Sequence, residues 1–210
     1  LTLLERLPEW GLAIVGTRHP LERSEWFTET LVRSLRGSRL VVLSGLARGI
    51  DRVAHESALE SGIPTIGVLG CGHGHVYPPE SGPLRESIVE SGGLVISEFA
   101  PSLHPARQHF VRRNRCIAAW ARATCVIEAP AKSGALITAD YAMERHATVF
   151  SVPAFPGDPA FAGREGGEGR AVRAGRGSRR EGERPAVGRG PGAQGGDLGG
   201  VGLPPVAPHG

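Results

Sequence analysis

The sequence predicts an α/β domain in which helices cover both faces of a doubly wound, mostly parallel sheet. Six short apolar runs recur between residues 12 and 153: LAIVG, LVVLSG, TIGVLG, LVISEF, TCVIEA and TVFSVP. They are rich in Val and Ile and apolar at successive rather than alternate positions, as strands buried between two helix layers are. Stretches of helical character separate them, and a strand–helix–strand repeat implies right-handed crossovers and parallel strands. Ligands of such sheets bind beyond the carboxyl ends of the strands. In this chain those ends carry Gly, Ser, Thr and Arg.

The first strand ends at Gly16-Thr17-Arg18, where glycine admits a close ligand and Thr17 and Arg18 can bond a phosphate. It is not a GxGxxG fingerprint, so dinucleotide binding has no direct support. A helix follows over residues 21–35. The second strand runs into Ser44-Gly45-Leu46-Ala47-Arg48-Gly49-Ile50-Asp51. Its glycines frame a tight turn into a helix over 48–61, which offers N–H donors at the positive end of a helix dipole. Arg48 is placed to clamp the same anion, and Asp51 suits a first helical turn.

The third strand leads to Gly70-Cys71-Gly72-His73-Gly74-His75 and then Tyr77-Pro78-Pro79, before a helix over 80–91. His-x-His beside cysteine resembles a metal motif. A loop this rich in glycine is poorly preorganised and lacks an apparent fourth ligand, so it reads as a pocket wall and no metal is expected. The fourth strand ends at Ser97-Glu98-Phe99. Beyond it Phe110-Val111-Arg112-Arg113-Asn114-Arg115 opens a predicted helix over 112–123. Arginine forks hold phosphates and an aromatic face stacks on a base, which together suit a nucleic-acid strand. The fifth strand ends at Glu128, and Ser133-Gly134 begins a helix over 134–145, with Ser133 as its N-cap. Glu98 and Glu128 read either as a carboxylate pair or, preferably, as holders of arginines such as Arg112 and Arg115.

Bulk properties set limits. Among 210 residues, 40% are hydrophobic and 5% aromatic, and the net charge is +3. That charge permits a nucleic-acid partner only if the arginines cluster. Lys132 is the only lysine, a bias that a GC-rich genome also produces. Cys71, Cys116 and Cys125 form no CxxC pair and read as buried thiols of a reducing cytoplasm. No apolar run reaches membrane-spanning length, and the first residues lack a signal-peptide pattern.

From residue 156 the character changes. The last 55 residues hold 17 of the 31 glycines, 7 of the 17 prolines and 8 arginines. Without an apolar period this segment is expected to be disordered. The predicted division is therefore a folded core over 1–155 and a Gly/Arg/Pro-rich tail over 156–210, the tail arising from a frameshift near Gly163.

Together, VGTR, SGLARGID, LGCG with VYPPE, SEF, the RNR segment and EAPAKSGALITA resemble the bacterial DNA-processing protein A (DprA/Smf) family, over about residues 12–153. The resemblance implies an extended Rossmann-like domain that binds single-stranded DNA, protects incoming strands in natural transformation and helps to load a RecA-type recombinase. It implies no catalysis and no cofactor, and a homodimer where the closing elements are intact. Single-stranded-DNA-binding protein is a further implied partner. By resemblance, Arg18, Arg48 and residues 110–115 line the strand pocket. The chain departs from the family pattern at Val111, where proline is usual, at His146-Ala147 in place of Gly-Arg, and after Pro153. Two other readings stay open: a nucleoside-monophosphate phosphoribohydrolase, although its PGGxGT-type loop is replaced by EAPAKSGALITA, and a small-nucleotide sensor.

Overall fold

The computed structural model describes residues 3–130 and 133–152. The expected tail lies outside them. Six strands form one sheet in the order β4-β3-β2-β1-β5-β6, every neighbouring pair parallel. They are β1 (Gly11–Gly16), β2 (Val41–Ser44), β3 (Thr65–Val68), β4 (Leu94–Ile96), β5 (Ala123–Ile127) and β6 (Thr148–Ser151). The helices are α1 (Leu3–Trp10), α2 (Glu22–Ser34), α3 (Ile50–Glu60), α4 (Gly82–Glu90), α5 (Arg107–Trp120) and α6 (Gly134–Glu144). This is the predicted Rossmann-like, doubly wound class.

The central strands show why their sequences are apolar throughout. Successive side chains of a strand point to opposite faces. Ala13 and Val15 of β1 accordingly join Ile117, Ala118 and Ala139 of α5 and α6, while Leu12 and Ile14 join Val32, Ile50 and Ala54 of α2 and α3. β5 divides in the same way, Val126 to the first cluster and Cys125 and Ile127 to the second. Both faces are thus buried, and neither can be polar.

The helices depart from expectation by one to three residues at several ends, and more substantially in three ways. α1 was not anticipated. A short 3₁₀ turn at Pro79–Ser81 precedes α4. α5 begins at Arg107, five residues before the expected start, with Ala106 in extended dihedrals at its N-cap. The RNR segment therefore lies within the helix rather than at its start. Among the described residues no helix is long and apolar enough to cross a membrane.

Candidate nucleic-acid interface

The strand order reverses between β1 and β5: β2, β3 and β4 extend to one side of β1, and β5 and β6 to the other. Loops leaving two such strands diverge to opposite faces and open a crevice at their carboxyl ends. A cleft of about 730 Å³ lies there, lined by Gly16, Thr17, Arg18, Phe110, Arg113, Asn114, Ser133 and Gly134, which sequence reasoning had selected. A recess of about 130 Å³ adds Gly45 and Arg48 beside Arg18 and Phe110.

The β1 loop is held by Glu128, whose left-handed backbone (φ 46°) turns two acceptors toward it. Its carbonyl accepts from the Thr17 N–H at 2.9 Å and its carboxylate from the Leu21 N–H at 2.9 Å. Glu128 thus orders the Thr17–Leu21 loop rather than any arginine. Arg18 projects from this loop and is exposed. Glycines press the neighbouring segments together. A Cβ on Gly16 would lie 2.6 Å from Ile50, and Gly49, at φ 72°, abuts the loop so closely that a Cβ would sit 2.8 Å from the Arg18 carbonyl carbon.

The donors of the β2–α3 turn are used inside the fold. The Gly45 N–H goes to Asp51 Oδ2 at 3.0 Å, and the Ile50 N–H to the Thr17 carbonyl at 3.2 Å. Ser44 is fully buried and donates to the Ile14 carbonyl at 2.6 Å. Ser44 and Gly49 therefore support the cleft from beneath and do not line it.

Helical register sorts the RNR segment. Residues 110, 113, 114 and 117 share the face of α5 toward the cleft, as their spacing requires. Arg113 is only 4% exposed. It donates to the carbonyls of Gly45, at 2.7 Å, and Val68, and its Nε donates to Asn114 Oδ1 at 3.1 Å. Asn114 in turn donates to the Gly134 carbonyl at 3.0 Å, tying α5 to α6. Burial pushes the Asp51 carboxyl above its ordinary range and the Arg113 guanidinium below its own, while their mutual attraction opposes both shifts. Arg112 and Arg115 turn away from the cleft and share Glu98, as anticipated for that carboxylate.

The aromatic wall comes from two elements. Phe110 and Tyr77 pair with ring centroids 5.1 Å apart, and Gly70 leaves the space that Phe110 fills, since a Cβ there would overlap the ring. The Gly-Cys-Gly-His loop, expected to wall the pocket, lines neither the cleft nor the recess; its Gly72 and Gly74 N–H groups donate to the carbonyls of Leu103 and Pro101, so it packs against the segment after β4. The His75 ring stacks on His104 at 4.1 Å and hydrogen-bonds the Ser102 carbonyl at 3.0 Å. Arg48 pairs with Glu80 on the surface. Ser133 caps α6 as expected, its hydroxyl accepting from the Ala135 N–H at 3.2 Å. Sequence reasoning did not select Tyr77 or Arg107, both of which line the cleft. Tyr77 was visible as the aromatic that follows the glycine-rich loop.

The sequence model for DNA recombination-mediator protein A matches residues 3–167. Protein Smf of Synechocystis is 46% identical over 146 residues, which are 70% of this chain and 36% of that protein. DNA processing protein DprA of Streptococcus pneumoniae is 40% identical over 142 residues, 68% of this chain and 50% of that protein. The chain therefore spans about half or less of the length of these curated relatives. The X-ray structure of the Streptococcus pneumoniae protein superposes with a TM-score of 0.68 at 37% identity, covering 75% of this chain and 56% of that one. DNA processing protein A from Helicobacter pylori, described for its single-stranded DNA binding mode, gives 0.67 at 30% identity, covering 75% of this chain and 72% of that one. On these matches the chain belongs to the DNA recombination-mediator protein A family.

Proposed function

We propose that the cleft binds single-stranded DNA, with phosphates along the β1 and α6 loops and one base on the Phe110–Tyr77 pair. The carrying observation is the placement of an exposed arginine, Arg18, and an aromatic pair on one crevice at the strand-order reversal. Among the described residues no carboxylate pairs with Arg18. Cationic grooves with stacking platforms suit single strands because every base has a π-face, whereas a duplex hides its bases. The described binding of single strands by the Helicobacter pylori relative supports the reading.

The buried ionisable groups beneath the cleft support binding rather than catalysis. Asp51 accepts from the Gly45 N–H and Arg113 donates to the Gly45 carbonyl, so both are engaged inside the fold. We further propose that Arg48, Arg112 and Arg115 add outer phosphate contacts, that the chain acts in the cytoplasm as a homodimer, and that it assists a RecA-type recombinase alongside single-stranded-DNA-binding protein. Anisotropy titration against single- and double-stranded DNA at several salt concentrations tests the central claim. Single strands bind more tightly, with affinity falling steeply as salt rises. Equal affinity for both forms, or none for single strands, overturns it. Mass measurement by size exclusion on the same sample tests the dimer.

A further inference from the structure

Adjacent positions of α5 carry two aromatic pairs that face different ways. Phe110 pairs with Tyr77 in the cleft. Its neighbour His109 pairs with Phe99, ring centroids 5.0 Å apart. Successive helical residues are rotated by about 100°, so the second pair stands on the shoulder of the cleft, and neither Phe99 nor His109 lines it. Arg112 holds its guanidinium over the Phe99 ring, 5.6 Å from the centroid, with its side chain 62% exposed. Arg112 and Arg115 share the single carboxylate of Glu98, which leaves one positive charge in excess. His109 is held through Nδ1, 3.1 Å from the His104 carbonyl, so the ring is oriented rather than free.

We infer that the Arg112–Phe99–His109 array is a second stacking subsite, which takes a nucleobase of the strand after it leaves the cleft. A guanidinium backed by an aromatic ring presents a flat cationic surface, suited to a base plane and to the phosphate beside it. Arg115 meets that phosphate by exchanging it for Glu98. The inference rests on the cleft reading and extends it: the site spans both faces of the α5 N-terminal half, and affinity grows with strand length once the strand crosses that helix.

The test compares labelled oligothymidylates of about 5 and about 15 nucleotides, bound to the full chain and to the variants Arg112→Lys, Phe99→Leu and Phe110→Ala. Arg112→Lys keeps the charge and loses the plane, and the exposed position leaves folding intact; thermal melting checks Phe99→Leu. Arg112→Lys and Phe99→Leu weaken the longer strand about fivefold or more and leave the shorter within about twofold, while Phe110→Ala weakens both. Equal losses on both lengths, or no loss on the longer, overturn the second subsite and leave the cleft standing. A wild-type chain that binds neither length overturns the cleft reading, and the extension falls with it.

Discussion

Arg113 donates to the carbonyl oxygen of Gly45 across 2.7 Å, while the N–H of the same glycine donates to Asp51 at 3.0 Å. One peptide segment thus lies between a buried base and a buried acid. It has no room for a side chain: a Cβ on Gly45 would lie 2.5 Å from Arg113 and 2.7 Å from the Asp51 carboxylate. The cation in the middle of the RNR segment is in this way tied to the turn at the end of β2, and the aromatic wall carried by α5 is fixed against the sheet.

Arg113→Ala leaves Asp51 buried without its cation and two carbonyls without their donor. A loss of about 3–5 kcal/mol follows, and Gly45→Ala costs about 1–3 kcal/mol through overpacking of the same spot. Urea denaturation measures both. Because the two changes act on one contact, the double variant loses less than the sum of the single losses. Strict additivity would refute the coupling.

Arg18→Ala has the opposite profile. The side chain is exposed at the cleft and pairs with no carboxylate among the described residues. Melting temperature stays unchanged while affinity for single strands falls for every sequence. The slope of log affinity against log salt shallows by about 0.7, one phosphate contact on a single strand. An unchanged slope would remove Arg18 from the site.

The contrast between buried Arg113 and exposed Arg18 shows where sequence reading reached its limit. The strands of β1 and β5 were legible because burial on both faces forces apolar residues at every position, a constraint visible without coordinates. That a ligand site would lie at the carboxyl ends of the strands followed from the strand–helix alternation, whereas the reversal between β1 and β5 needed the strand order. The division of labour within Arg112-Arg113-Asn114-Arg115 did not follow from the alternation, because it depends on which face of α5 packs against the β2 turn and α6, a tertiary contact. The residues 107–109, Arg-Gln-His, carry no apolar period to mark a helical turn, so the helix was expected to start at Arg112. Starting it at Arg107 brings Phe110 into helical register with Arg113 and Asn114, on the face toward the cleft. Likewise the Arg48–Glu80 pair joins residues 32 apart through packing of α3 beside the turn before α4, which no local pattern encodes.

That pair carries a third prediction. Arg48 and Glu80 have side chains 58% and 40% exposed, so their bond adds little to stability. Arg48 also borders the recess that holds Arg18 and Phe110, which makes Glu80 a competitor of phosphate for the same guanidinium. Glu80→Gln releases Arg48, raises affinity for single strands about twofold to fivefold and steepens the salt dependence, with melting unchanged. Weaker binding by the variant would show instead that Glu80 holds Arg48 in its binding pose.

The fourth prediction concerns pH and comes from beneath the sheet. His55 is fully buried, its Nδ1 2.7 Å from the hydroxyl of Thr65, and that hydroxyl donates its own proton to the Val42 carbonyl at 3.1 Å. Thr65 can therefore only accept from the ring, so Nδ1 carries the hydrogen and Nε2 is the bare nitrogen, buried without a partner. A second proton would have to sit on Nε2, and burial, helped by the charge of Arg113, lowers the pKa from 6.5 to about 3. The unfolded chain takes up that proton as pH falls below about 6.5 and the folded chain does not, so the stability contributed by neutral His55 is present above 6.5 and is lost on the way down to about 3. The loss is on the order of 2 kcal/mol at pH 5. Urea denaturation of the wild type and His55→Asn between pH 8 and pH 4 isolates it. Asparagine restores a donor to Thr65 without a titrating nitrogen, so the variant is less stable at pH 8 through lost packing but declines more gently on acidification. Parallel curves for the two proteins would show that the ring titrates freely in the fold.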